Sequence, residues 1–223
     1  NQRIALSVDW SRLAISGQVQ TTLLATTATD TVRLDADHLT ITGATDATGR
    51  KLRFQFDSTH VTVRLPRKVQ PGDSVQFTLT YTGMPERGLY FVPRSHVVWT
   101  QGEAIETRSW VPTYDFPNDK ATWEFLVTAD SGMSVLSNGT LKSVTPAPGG
   151  RGQVWRWVQE QPASTYLYSV VIGPFTVLRD QWRGRPVDYW VAPDTVPAGW
   201  RTFGETPSMI AIYSQVLGAN YPS

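Results

Sequence analysis

No cysteine occurs among the 223 residues, which excludes disulfides, thiolate metal clusters and cysteine nucleophiles together. Histidine is scarce. His38, His60 and His96 lie far apart, and none forms the i, i+4 pair around a glutamate that a helical zinc site requires, so each reads as a surface or half-buried strand residue. Charge of one sign is not in excess: 20 Lys+Arg stand against 19 Asp+Glu, for a net charge of +1. The basic residues are scattered along the chain without the stripe that a phosphate backbone needs, and nucleic acid is not expected as a partner. No long hydrophobic run is present either. The most apolar stretch, Tyr166 to Leu178, is interrupted by Ser169, Gly173, Pro174 and Thr176, so neither a signal peptide nor a membrane span is expected. A mature secreted protein and a cytoplasmic one both fit these features, and the sequence leaves the compartment open. There is no G-x-S-x-G elbow, phosphate loop or dinucleotide fingerprint.

What is present is alternation. Ile4-Leu6-Val8-Trp10, Leu52-Phe54-Phe56, Val61-Val63-Leu65 and Val75-Phe77-Leu79-Tyr81 place apolar residues at every second position, the signature of half-buried strands. Turn formers separate them at Asp46 to Gly49, Pro71-Gly72-Asp73 and Thr82-Gly83. After an irregular stretch from about Gly102 to Asp119, strand patterns return at Trp123-Phe125-Val127, Val154 to Val158, Tyr166 to Ile172, Phe175 to Leu178 and Val187 to Val191. Pro146 to Gly152 reads as a loop between two of these strands. The expected fold is all-β, a saddle-like twisted sandwich over residues 1–192.

Beyond Pro193 the period changes. Thr206 reads as an N-cap and Pro207 as the first helical position. Met209, Ile210, Ile212, Tyr213, Val216 and Leu217 then form an apolar stripe ending at Gly218. Residues 193–223 are therefore expected to be a linker and one core-facing helix opening a second domain, with the chain cut at Ser223 inside a longer protein. Asn138-Gly139-Thr140 matches a glycosylation sequon and reads first as a turn. The nine tryptophans could form a sugar-stacking face, but most lie in strand-like segments where aromatics supply core area.

The segment from Trp99 to Trp123 carries the specific signal. Thr100, Gln101, Glu103 and Ala104 are followed at fixed spacing by Arg108, by the turn Pro112, Asp115 and Pro117, and by Lys120-Ala121-Thr122-Trp123. This run resembles the zinc aminopeptidase family of aminopeptidase N and leukotriene hydrolase, the gluzincin metallopeptidases. The resemblance extends to Leu34-Asp35-Ala36 with Leu39-Thr40-Ile41, Gly88-Leu89-Tyr90, Ser137-Asn138-Gly139, Ser164-Thr165-Tyr166-Leu167, Gly173-Pro174-Phe175, and Gly218 with Tyr221-Pro222. Departures occur at Ser109-Trp110, Thr113 and Phe116, away from the expected ligand contacts.

The resemblance implies the N-terminal β domain of a zinc-dependent aminopeptidase that removes N-terminal residues from peptides, joined to the first helix of the catalytic domain. Glu103 is then an acid gripping the substrate α-amine, Gln101 supports it or touches the first side chain, and Ala104 lines the channel. The family's G-x-M-E-N and H-E-x-x-H motifs follow this region and are not found in it. Zinc is accordingly expected in the full-length protein and none in this chain, which alone should be inactive. Peptides with a free N-terminus and the protein's own downstream catalytic domain are the implied partners. Arg108 and Asp115 read as a structural pair bracing the loop, and Lys120 as a fold-stabilising residue. Two other readings stay open: a non-catalytic scaffold or protein-interaction domain of the same fold, and a carbohydrate-binding β-sandwich module.

Overall fold

A computed structural model describes residues 1–221; Pro222, the last residue of the G-x-x-Y-P resemblance, and Ser223, the expected cut, lie outside the described residues. In chain order the strands are β1 (Gln2–Asp9), β2 (Ala14–Leu24), β3 (Thr29–Asp35), β4 (Leu39–Asp46), β5 (Phe54–Phe56), β6 (His60–Val69), β7 (Ser74–Gly83) and β8 (Leu89–Val92). They continue as β9 (Val97–Thr100), β10 (Lys120–Ala129), β11 (Ser134–Ser137), β12 (Thr140–Pro146), β13 (Gln153–Ser164), β14 (Val170–Gly173), β15 (Thr176–Trp182) and β16 (Arg185–Val191). Two helices follow, α1 (Val196–Phe203) and α2 (Thr206–Leu217). The chain divides into two compact units, residues 1–173 and 174–223.

The first unit holds three open sheets, ordered β12-β13-β10-β1-β2-β7-β4, β11-β14-β9-β8 and β3-β6-β5. Alternation dictates their packing. Ile4 and Leu6 of β1, Val61, Val63 and Leu65 of β6, and Val75, Phe77, Leu79 and Tyr81 of β7 are all buried, with polar neighbours facing out. Phe125 and Val127 of β10 join the same core, where Trp110 stacks on Phe125 at 5.8 Å and Trp123 meets Tyr168 at 4.4 Å. The pairing of β1 with β10 is parallel, with Gln2 opposite Trp123. Gln2 is a buried amide with every bond met. Its Nε2 donates to Thr21 Oγ1 (3.1 Å) and to the Pro112 carbonyl (3.3 Å), and its Oε1 accepts from the Thr113 and Tyr168 hydroxyls at 3.0 and 2.8 Å.

Local differences from the sequence reading have identifiable causes. Thr82-Gly83 continues β7 rather than turning, because it pairs with Ile15 and Ser16 on one side and with Leu39 and Thr40 on the other. Thr165–Leu167 is a 3-10 turn, not the start of a strand, since the Thr165 side chain is drawn to Asp115. Trp110, Trp123, Trp157 and Trp182 are buried, Trp10, Trp155 and Trp190 half-buried, and only Trp99 and Trp200 exposed. The tryptophans form no row of exposed rings on one face.

In the second unit the β15–β16 hairpin carries Leu178, Tyr189 and Val191 into a small core with Val187 and Val196. Tyr189 meets Trp200 edge-on at 5.8 Å and Phe203 face-on at 5.7 Å. The expected helix from Pro207 to Leu217 is α2, and α1 precedes it. Thr206 does not cap it: Glu205 occupies that position, and the Thr206 hydroxyl donates back to the Phe203 carbonyl at 2.6 Å. Gly218 ends α2 in the left-handed conformation (φ 64°). The helix was expected to face a core with its apolar stripe. Instead Met209, Ile212, Tyr213, Val216 and Leu217 are exposed, and the buried side, marked by Ser214, is narrow. Grouping by compactness places the hairpin with the helices, whereas the division after residue 192 expected from sequence follows the change of period. No helix among the described residues is long and apolar enough to cross a membrane.

Candidate functional site

Gln101, Glu103 and Ala104 lie on the loop that leaves β9 and enters a 3-10 turn at Thr107–Ser109. All three are exposed, while Thr107, Ser109, Trp110, Val111, Thr113 and Asp115 just downstream are buried. The loop therefore has an open tip on an anchored base. Gln101 Oε1 accepts the Glu103 backbone N–H at 3.0 Å, which commits the amide oxygen of Gln101 to the loop itself. The Gln101 N–H donates to the Gly88 carbonyl (2.9 Å) and the Glu106 N–H to the Gly102 carbonyl (2.9 Å). The Glu103–Ala104 peptide bond is cis.

Gly102 is required by space. A Cβ there would sit 2.5 Å from Thr107 Oγ1 and 2.6 Å from the Tyr166 carbonyl oxygen. Gly88, at φ +75°, lets β8 pass against the Glu106 carbonyl, where a side chain has no room. The Tyr90 hydroxyl donates to Glu106 Oε2 at 3.3 Å, and the Tyr90 ring stacks on exposed Trp99 at 4.7 Å.

The base is an ion network. Arg108 Nε lies 3.4 Å from Asp115 Oδ2, its Nη2 donates to the Asp115 carbonyl at 2.8 Å, and its backbone N–H donates to Asp115 Oδ2 at 3.0 Å. Arg108 Nη1 also reaches Asp35 Oδ1 at 3.3 Å, and Asp35 Oδ2 accepts the Asp115 N–H at 2.9 Å. The Thr165 hydroxyl completes Asp115 at 2.6 Å, Thr107 Oγ1 donates to the Thr165 carbonyl at 2.9 Å, and an antiparallel bridge joins Asp35 to Thr113. His60 Nε2 stands 3.4 Å from Asp35 Oδ1. The Arg108–Asp115 pair read from the sequence thus exists, and it is tripartite. Asp35 was not assigned a role there, because its partners come 73 and 80 positions later and no local period marks them. Lys120 is exposed and forms no ion pair among the described residues.

His38, His60 and His96 sit at turns or strand ends, with His38 and His96 at positive φ. Among the described residues no group of three or more His, Cys, Asp or Glu side chains could hold a metal ion. The site offers an exposed carboxylate, Glu103, on a loop anchored at its base.

The sequence profile of the peptidase M1 N-terminal domain matches residues 1–167. Aminopeptidase N of Acetobacter pasteurianus is 26% identical over 231 residues, covering 98% of this chain and 64% of that protein. Transcription initiation factor TFIID subunit 2 of Danio rerio is 23% identical over 176 residues, covering 73% of this chain and 15% of the relative. Among solved structures, a variant M1 zinc metallopeptidase from Deinococcus radiodurans shares the fold with a TM-score of 0.79 at 24% identity, over 98% of this chain and 53% of that one. The chain thus spans less than two thirds of these relatives' length. With the profile running through the β domain and its braced loop, the chain belongs to the peptidase M1 family, of which it carries the N-terminal domain.

Proposed function

We propose that this chain is the substrate-anchoring N-terminal domain of a zinc aminopeptidase, and that Glu103 pairs with the α-ammonium of a peptide substrate. The observation that carries this reading is the exposed Glu103 held on a loop whose base is locked by Arg108, Asp35 and Asp115. An α-amino group has a pKa of about 7.7–8 and is largely protonated near neutrality, so a carboxylate at the end of a cleft selects chain ends over internal segments. A segment lacking that charge leaves the acid unpaired at a cost of about 1–3 kcal/mol. Gln101, its oxygen fixed on Glu103 N–H, offers its amide to a substrate carbonyl, and the Ala104 backbone lines the channel. No group of His, Cys, Asp or Glu among the described residues suits zinc, and on this reading the zinc ligands and the rest of the cleft are supplied by the catalytic domain of the full-length protein.

The similarity to a TFIID subunit favours a second reading, a protein-assembly scaffold on the same fold. One experiment separates the two. In the full-length protein, Glu103→Gln should lower kcat/KM for an aminoacyl anilide at least about tenfold, equivalent to about 1.4 kcal/mol. A change within about twofold removes the anchor role, and a zinc-loaded wild type without turnover supports the scaffold.

A further inference from the structure

The three-stranded sheet β3-β6-β5 buries one face through Val61, Val63 and Leu65 and leaves the other open. Cross-strand pairing sets Arg33 and Gln55 beside Thr62, and Thr31 beside Arg64, on that open face. The Arg64 N–H donates to the Arg53 carbonyl at 2.8 Å, which brings these two arginines together at the β5 end. Residues scattered in sequence are thereby gathered on one surface. Two adjoining cavities of about 750 and 360 Å³ meet there and share Leu52, Arg53 and Arg64 in their walls, and Arg50 and Lys51 line the smaller one. Asp30 pairs with Arg64 at 2.9 Å and Asp46 with Arg50 at 3.1 Å. Arg33, Lys51 and Arg53 are exposed and have no carboxylate at ion-pair distance among the described residues.

The trough also has an open backbone edge. In β5 the Arg53 carbonyl and the Asp57 N–H are spent on Arg64 and His60, so the N–H and C=O groups of Phe54 and Phe56 between them point away from β6. The Phe54 and Phe56 rings are half-buried against the core, so they offer no flat platform on which a base could stack. An extended peptide matches both features, since a strand edge supplies main-chain bonds and guanidinium forks take carboxylates in pairs.

We propose that this trough and the open sheet face beside it bind an acidic, extended peptide segment of another protein, its carboxylates on Arg53 and Lys51 in the trough and on Arg33 of the adjoining face. The inference is independent of the amine-anchoring reading, because it uses none of the residues of the Glu103 loop. It is tested with the full-length protein by fluorescence anisotropy at low salt, using a labelled hexapeptide alternating glutamate and threonine. A lysine-threonine counterpart, an oligothymidylate and a heparin hexasaccharide serve as comparisons. The glutamate peptide should bind in preference to all three, and Lys51→Glu/Arg53→Glu should weaken it at least about tenfold, as expected for reversal of paired charges. Arg94→Glu/Arg151→Glu, the same charge change elsewhere on exposed residues, should cost less than about twofold. Arg53→Gln, a milder change, should weaken binding in the same direction, and equal melting temperatures separate lost binding from lost folding. The proposal is overturned by absent peptide binding, by equal losses in the two double variants, or by tighter binding of the oligonucleotide or heparin.

Discussion

Replacing Arg108 with methionine tests whether the ion network holds the Glu103 loop. The Asp35 and Asp115 side chains are 6% and 1% exposed and that of Arg108 is 16% exposed, so solvent screens the pair little. In Arg108→Met, Asp115 keeps the Thr165 hydroxyl and a backbone N–H, and Asp35 keeps the Asp115 N–H and the His60 Nε2 contact at 3.4 Å, but both buried carboxylates lose the guanidinium between them. Breaking a buried pair by removing one partner costs about 3–5 kcal/mol. For a chain of this size, at about 2–4 °C per kcal/mol, the melting temperature should fall by roughly 6–20 °C. Urea titration followed by circular dichroism gives the free energy, and hydrogen exchange at Glu106 and Ser109 reports loosening of the loop. A double variant, Arg108→Met/Asp115→Asn, should lose less than the sum of its single changes. A loss below about 1 kcal/mol for Arg108→Met, the value of an exposed pair, would refute the bracing role.

Three further outcomes are expected. Gly102→Ala forces a Cβ to 2.6 Å from the Tyr166 carbonyl and should destabilise the chain by about 1–3 kcal/mol; an unchanged melting curve contradicts the close packing described. Asp57 is held down to about 2, first by the Thr59 hydroxyl and then by the Thr59 and His60 backbone N–H groups. Its folded pKa lies below the unfolded value of about 3.9, so its contribution is complete above that value and is lost as pH falls towards about 2. Thr59→Ala should raise the carboxyl midpoint seen by NMR, and an unmoved midpoint rejects the cause. The isolated 223-residue chain should bind no stoichiometric zinc and cleave no aminoacyl anilide; equimolar zinc by elemental analysis overturns this.

Legibility from the sequence followed the range of the interactions. Period two marked β1, β6, β7 and β10 because burial of every second side chain is a local pattern, and Ile4, Val61, Phe77 and Phe125 occupy the core it indicates. The loop at Gln101 to Ala104 was found through fixed spacing in a resemblance, since no periodicity distinguishes an exposed acid with a task from one without. The bonding roles of Asp35 and Gln2 are not legible in the sequence, because their partners, Arg108, Asp115, Thr113 and Tyr168, meet them only across the folded sheets. Thr206 has the residue type of an N-cap but does not cap α2, because its hydroxyl bonds backwards to the Phe203 carbonyl.

The parallel pairing of β1 with β10 also sets an order on synthesis. β2 emerges soon after β1 and can cover one of its edges, but the other edge waits for Glu124, 121 residues after Arg3. At ribosomal speeds of about 5–20 residues per second this is a delay of roughly 6–24 s. Throughout that interval Ile4 and Leu6 border an unpaired strand edge, which is where nascent chains join one another. Yield on overexpression should therefore respond to slower translation or to chaperones more than the stability of the finished sheet would suggest.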